Sequence, residues 1–298
     1  MSHRIEAVMH GLEAAGYRVD CHAYQRIASG LESEIYAMVV NGEKHVVKLP
    51  IVTVASNAND AHLDYREIYR QEWEILQVLS QSVSSVPCPR PVYLGSGGQF
   101  PFLVMAFLDN DDGPVAEDDA LSVLHRLHTI RYPADTTLAH ASHHWVGDCL
   151  ASRIVSRLTR LHAWAEVGYT WATEDLLREW MHEDRNGHAL LHMDFRRANI
   201  LTRQRRIVGL IDWSNALIGS PLIELARIAV YGEFSEDFVA RYLAVTPAVR
   251  YYRRPYQIYR LDSIVMLCLV FCSEAPNETM AQRMLGTLRA LERELREP

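Results

Sequence analysis

Two carboxylates and a carboxamide stand close together in the segments Leu191-His192-Met193-Asp194-Phe195-Arg196-Arg197-Ala198-Asn199-Ile200-Leu201 and Leu210-Ile211-Asp212-Trp213. Apolar pairs flank a polar loop in the first segment, and an apolar run ends on aspartate in the second. Phosphoryl transfer needs such a set: one carboxylate orients an attacking hydroxyl and accepts its proton, while oxygen ligands hold Mg²⁺ against a phosphate chain. Solvated loops are rich in Asp and Asn for ordinary reasons. The ordered spacing between strand-like flanks lifts this loop above that reading.

The pattern His192-x-Asp194-x-x-x-x-Asn199, followed by a strand ending in Ile211-Asp212, resembles the signature of the aminoglycoside phosphotransferase and choline kinase superfamily, relatives of the protein kinases. The resemblance implies Asp194 as catalytic base, Asn199 and Asp212 as metal ligands, and His192 as support for the loop. Arg197, three residues after Asp194, either reaches the transferred phosphate or faces solvent. One departure stands out: the family usually shows Gly-Asp-Pro after the metal-site aspartate, and this chain has Gly219-Ser220-Pro221. The missing carboxylate is expected to alter local support of the loop, although Glu224 keeps an acidic helix start.

The same resemblance implies a strand lysine that meets the nucleotide phosphates and is held by a helix glutamate. Lys48, after Val46 and Val47, fits the lysine, and Glu72 is its best partner, with Glu67 and Glu74 as rivals. The phosphate-covering loop falls by position on 29–34, with Ser29 and Gly30 its distinctive residues. There is no G-x-G-x-x-G and no P-loop motif, so an ordinary β-turn competes with this reading. Adenine would be read by backbone groups of Ala106 and Leu108, at the end of the apolar run 102–108. Leu124-His125-Arg126-Leu127-His128 resembles the family's L-x-x-L-H helix, whose usual role is packing.

These residues need elements to position them. Helical spacing of Ile5, Val8, Met9 and Leu12 predicts an opening helix over 5–15. Strands are expected at 24–28, 35–40 and 45–49, the last two joined by an Asn41-Gly42 hairpin. A helix over 63–79, broken by Pro87, Pro89 and Pro91, precedes strands at 92–94 and 102–107. From there helices are expected at 119–130, 144–161, 173–181, 222–231 and 236–243, with two more at the C-terminus. Short strands at 190–191, 200–201 and 207–211 interrupt them. The element order makes the fold class α+β, and the resemblance implies a bilobal protein-kinase-like arrangement with a β-rich N-terminal lobe over 1–108 and a mainly helical lobe over 109–298.

Composition sets wider bounds. The 298 residues are 49% hydrophobic and 22% charged, with a formal net charge of -7, which suits a soluble globular protein and argues against a nucleic-acid binder. The interleaved run Arg250, Tyr251, Tyr252, Arg253, Arg254 and the basic turn Arg203, Arg205, Arg206 are read as solvated surface. Five scattered cysteines fit reduced thiols, and His143 and His144 have no third ligand nearby. With no visible secretory signal, and with 264–271 too short to span a bilayer, a cytoplasmic location with no membrane partner is expected.

The expected function is transfer of the γ-phosphoryl group of ATP or GTP, with Mg²⁺, to a hydroxyl on a small molecule that could be cationic. An aminoglycoside or related antibiotic, a choline-like amine and a sugar alcohol all fit. The rival is a non-catalytic binding or scaffold protein on a kinase-like fold, which loss of Lys48, Asp194 or Asp212 would have favoured. No D-F-G to A-P-E activation segment is present, which speaks against a protein substrate.

Overall fold

The computed structural model describes residues 3–82, 86–95, 100–130, 132, 146–165, 167–168 and 170–296. The chain forms two compact units: residues 1–56, 62–115 and 200–214 make the first, and 57–61, 116–199 and 215–298 the second.

The first unit opens with α1 (His3–Ala14), then β1 (Val19–Ser29), β2 (Ser33–Val40) and β3 (Glu43–Pro50). Asn41 and Gly42 take φ of 54° and 83°, the left-handed pair that a two-residue hairpin needs, so the Asn-Gly signal forms the expected turn. Two short strands, β4 (Val54–Ala55) and β5 (Leu63–Asp64), were not foreseen. They delay the next helix, α2 (Tyr65–Gln81), by two residues, and Asp64 caps it by accepting from Arg66 N–H. β6 (Pro91–Gly95) and β7 (Phe102–Ala106) complete an antiparallel sheet of order β1-β2-β3-β7-β6. Ile5, Val8, Met9 and Leu12 of α1 are buried with Tyr36, Met38, Val47, Leu49, Phe102 and Val104 of the sheet, as the 3.6-residue period requires.

The second unit carries α3 (Glu117–His128), α4 (Val146–Ala165), α5 (Glu174–Met181) and β8 (Ala189–Leu191). His143 and His144 lie outside the described residues. The chain then returns to the first unit for a ribbon, β9 (Ile200–Arg203) and β10 (Arg206–Leu210), before β11 (Leu217–Gly219) pairs antiparallel with β8. The remaining elements are α6 (Pro221–Tyr231), α7 (Phe238–Val245), α8 (Arg253–Leu269), a π-helical turn over Val270–Glu274, and α9 (Glu278–Arg296). The α+β class, a five-stranded antiparallel sheet in the N-terminal region and a mainly helical C-terminal part, is as expected.

α8 together with its π-helical turn is long and apolar enough by composition to cross a membrane, yet most of the apolar stretch is packed inside the second unit. Its centre holds a buried aspartate, Asp262. Arg153 reaches both carboxylate oxygens at 3.0 and 2.7 Å, Arg157 lies at 3.1 Å and Arg227 at 3.4 Å. Burial alone would raise the Asp262 carboxyl, but the three guanidinium groups hold it at about 2. Burial and the neighbouring Arg153 bring Arg157 down to about 10, a sign that positive charge is crowded here. Asp262→Asn is therefore expected to cost roughly 3–5 kcal/mol, because it leaves buried cations uncompensated. Denaturant midpoints of the two proteins check this. The contribution is present above the ordinary carboxylate value of 3.8 and is lost as pH falls through about 2. The stability gap between wild type and variant should shrink across that window.

Candidate active site

In the first unit the centre is Lys48, on β3 and only 7% exposed. Its ammonium donates to Glu72 Oε2 and to Asp212 Oδ1, both at 2.8 Å. Burial would lower its pKa, but Asp212 and Glu72 outweigh that and hold it well above the ordinary lysine value. Glu72, buried on α2, uses its other oxygen to accept Trp213 N–H at 3.2 Å. Among the rival glutamates, Glu67 is exposed and Glu74 half-buried, and it is Glu72 that pairs with the lysine.

Asp212 has φ of 65° and accepts from Ser214 Oγ–H at 2.8 Å on the same oxygen that meets Lys48. The left-handed backbone is tolerable for aspartate and lets the chain turn sharply after β10. The turn 29–33 closes through Gly30 N–H to Ser33 O at 2.9 Å, and Ser33 Oγ lies 2.8 Å from the Tyr69 hydroxyl. Ala106 N–H is spent on Arg90 O at 2.8 Å, so a ligand contact at Ala106 falls to its carbonyl. Leu108 follows β7 and packs over Gly209, where an added Cβ would come within 2.5 Å of it.

In the second unit, the strand pair β8–β11 delivers the loop that carries Asp194. Met193 is held at φ of 63°, a conformation that costs a residue of its kind about 1–2 kcal/mol. Both its backbone groups are fastened: its N–H donates to Glu224 Oε1 at 2.7 Å, and its carbonyl accepts from Arg227 at 2.7 Å. Glu224 Oε2 also accepts His192 N–H at 3.2 Å and faces His128 Nε2 at 2.8 Å, while His128 Nδ1 lies 2.6 Å from the Tyr242 hydroxyl. Burial would raise the Glu224 carboxyl, but His128, His192 and the Met193 amide hold it below its ordinary value. His128, read from the sequence as packing, is thus a polar brace for the loop.

The Asp194 carboxylate, 7% exposed as a residue, gathers several donors. Asn199 Nδ2 donates to Oδ2 at 2.6 Å and to the Asp194 carbonyl at 3.0 Å. That use of the amide nitrogen directs the carboxamide oxygen of Asn199 elsewhere, as a metal ligand would need. The Tyr231 hydroxyl donates to Oδ1 at 2.8 Å, and burial, helped by the Asp194 charge and opposed by Arg227, pushes that phenol well above the ordinary tyrosine value.

Arg196 Nε lies 3.2 Å from both oxygens. Arg197, the cation singled out from spacing, is exposed and makes its contacts away from the Asp194 carboxylate. Its N–H and Nε donate to Glu233 at 2.6 and 2.9 Å, and its guanidinium lies over the Phe234 ring. The arginine at Asp194 is Arg196. A short 3₁₀ turn over Arg197–Asn199, closed by Asn199 N–H to Arg196 O, swings the second arginine away. In the Gly219-Ser220-Pro221 departure, Ser220 caps α6 by accepting Leu222 N–H, with Pro221 at the first helical position.

Asn199 and Asp212 present a carboxamide and a carboxylate, the hard oxygen donors that suit Mg²⁺. Among the described residues there is no cluster of three His, Cys, Asp or Glu that could hold a metal without further ligands.

Residues 23–256 match the model of the phosphotransferase enzyme family, and the chain belongs to that family. The motif-based resemblance to aminoglycoside phosphotransferases and their relatives is thereby borne out. Among solved structures, a thermostable mutant of aminoglycoside phosphotransferase APH(4)-Ia, in ternary complex with ADP and hygromycin B, aligns with a TM-score of 0.67. The two chains are 17% identical, and the alignment covers 100% of each. The GDP complex of an aminoglycoside 2'-phosphotransferase-IIIa mutant aligns with a TM-score of 0.65 at 15% identity, covering 98% of both chains. A gentamicin complex of APH(2")-IIa gives 0.61 at 17% identity, with 97% of this chain and 96% of that one covered. At such identities the likeness is one of fold. No curated protein sequence matches the chain.

Proposed function

We propose that this protein is a small-molecule kinase that transfers the γ-phosphoryl group of ATP or GTP to a hydroxyl of its acceptor. The observation that carries the reading is the pairing of Asp194 with Asn199, a buried carboxylate held by a carboxamide on a loop whose preceding residue, Met193, is fastened through both its backbone N–H and its carbonyl.

In this reading Asp194 accepts the proton of the acceptor hydroxyl as its oxygen bonds to the γ-phosphorus. The bond from that phosphorus to the bridging oxygen breaks, and the nucleoside diphosphate leaves. Lys48, oriented by Glu72, meets the phosphates. Ser29 and Gly30 cover them, and the carbonyl of Ala106 and the backbone of Leu108 face the base. Asn199 and Asp212 would hold magnesium, which when bound supplies positive charge against the phosphate chain. With its guanidinium on Glu233 and Phe234, Arg197 serves the loop's anchorage, and Arg196 is the cation nearest the base. The APH(4)-Ia mutant bound to ADP and hygromycin B supports nucleotide use and makes an aminoglycoside one acceptor class to try first.

The test is consumption of Mg-ATP and of Mg-GTP by the purified chain against a panel of aminoglycosides, other amines and sugar alcohols. Acceptor-dependent release of nucleoside diphosphate with one class supports the reading. Binding of nucleotide without acceptor-dependent turnover across all classes would favour the scaffold alternative.

A further inference from the structure

The underside of the Asp194 loop is gripped by one face of α6. Glu224, Arg227 and Tyr231 are three and four residues apart, so their side chains leave the helix in a single row. Each holds a successive piece of the loop: Glu224 the amides of His192 and Met193, Arg227 the carbonyl of Met193, and Tyr231 the carboxylate of Asp194. The first two fasten backbone, whereas Tyr231 acts on the reacting group itself.

Resting on the kinase reading above, we propose that Tyr231 is a positioning residue that sets the rotation of the Asp194 carboxylate and so aims the base. Asn199 anchors Oδ2 and Tyr231 anchors Oδ1, which fixes both ends of the carboxylate plane. The remaining donor, Arg196, sits at 3.2 Å from both oxygens with its side chain 42% exposed, so it can follow the carboxylate instead of fixing it. Its guanidinium also lies 5.9 Å from the centre of the Tyr231 ring. The tyrosine is suited to an anchor. It ends α6, and the next residue, Gly232, takes φ of 65° and closes the helix through its N–H to Ile228 O. Without the hydroxyl, Oδ1 is left to Arg196, and the carboxylate turns toward the guanidinium and away from its working direction.

The experiment compares the full-length wild type with Tyr231→Phe and Asp194→Asn, each labelled with ¹³Cγ-aspartate, at about pH 8 where carboxylates are ionised. The Asp194 signal is identified by its absence from Asp194→Asn. In Tyr231→Phe that signal should move, with the melting temperature close to wild type. In parallel, Mg-ATP hydrolysis without added acceptor should show kcat lowered about tenfold, or about 1.4 kcal/mol, with KM for ATP unchanged. An unmoved Asp194 signal, or a wild-type kcat in Tyr231→Phe, overturns the proposal. Failure of the underlying reading looks different: Asp194→Asn would hydrolyse Mg-ATP as fast as wild type.

Discussion

Asp194→Asn is expected to lower turnover by about 10²–10⁴-fold, the usual contribution of a positioned general base, while nucleotide still binds. The asparagine keeps the size of the side chain; its one carbonyl oxygen can still accept from Asn199 Nδ2 while its amide donates to the Tyr231 hydroxyl oxygen, so the loop should hold its shape. What is lost, in the proposed mechanism, is the capacity to take the acceptor's proton, which matters in the transition state more than in the ground state. Steady-state kinetics with calorimetry of Mg-ATP binding check both halves of the expectation. A near-wild-type kcat would remove Asp194 from the mechanism.

The second large effect is expected at Lys48. Lys48→Ala should cut kcat/KM for the nucleotide at least about tenfold, equivalent to roughly 1.4 kcal/mol of lost stabilisation. It should also lower the melting temperature, an effect that a lysine on an open surface would not have. Glu72 is buried and gives one oxygen to Lys48 and the other to Trp213 N–H, so removing the ammonium strands a carboxylate away from water. Asp212, with its side chain 40% exposed, bears less of that penalty. Glu72→Ala releases both Lys48 and the Trp213 amide, and should therefore lose stability and nucleotide kinetics together. Kinetics and thermal melts on the two variants check this. Intact catalysis in Lys48→Ala would contradict the phosphate-binding role. Asp212→Ala should weaken Mg-nucleotide binding itself, seen by calorimetry as a reduced affinity, because in the proposed mechanism it removes a charged oxygen ligand.

The residues with a local signature were the ones that could be read from sequence. Asn41-Gly42 announced its hairpin because few other pairs accept two successive positive φ values. α1 announced its buried face by period, and Lys48 stood out on a strand that precedes an acidic helix. The segment from His192 to Asn199 was legible as a motif because its residues sit at fixed intervals along one loop.

What stayed hidden depends on contacts remote in sequence or on local backbone direction. Tyr231 lies 37 residues from Asp194, and nothing in a tyrosine at a helix end marks it as a partner of a carboxylate. The spacing of Glu224, Arg227 and Tyr231 on one helical face was available but had no meaning until the loop was placed against it. Arg196 and Arg197 are adjacent and chemically alike, and the 3₁₀ turn that separates their directions leaves no trace in composition. Residues 200–214 group with the first unit although they follow the loop of the second, and residues 57–61 do the reverse. A single cut in the chain cannot express either.

The central claim is tested most directly by following the γ-phosphoryl group itself. Wild type and Asp194→Asn are incubated with Mg²⁺ and γ-labelled ATP or GTP in the presence of the acceptor panel, and the label is traced to its products. Wild type should move the label onto a hydroxyl of one acceptor class, and Asp194→Asn should leave it on the nucleotide. Label that stays on the nucleotide with every acceptor, or that moves equally well in both proteins, would contradict the account.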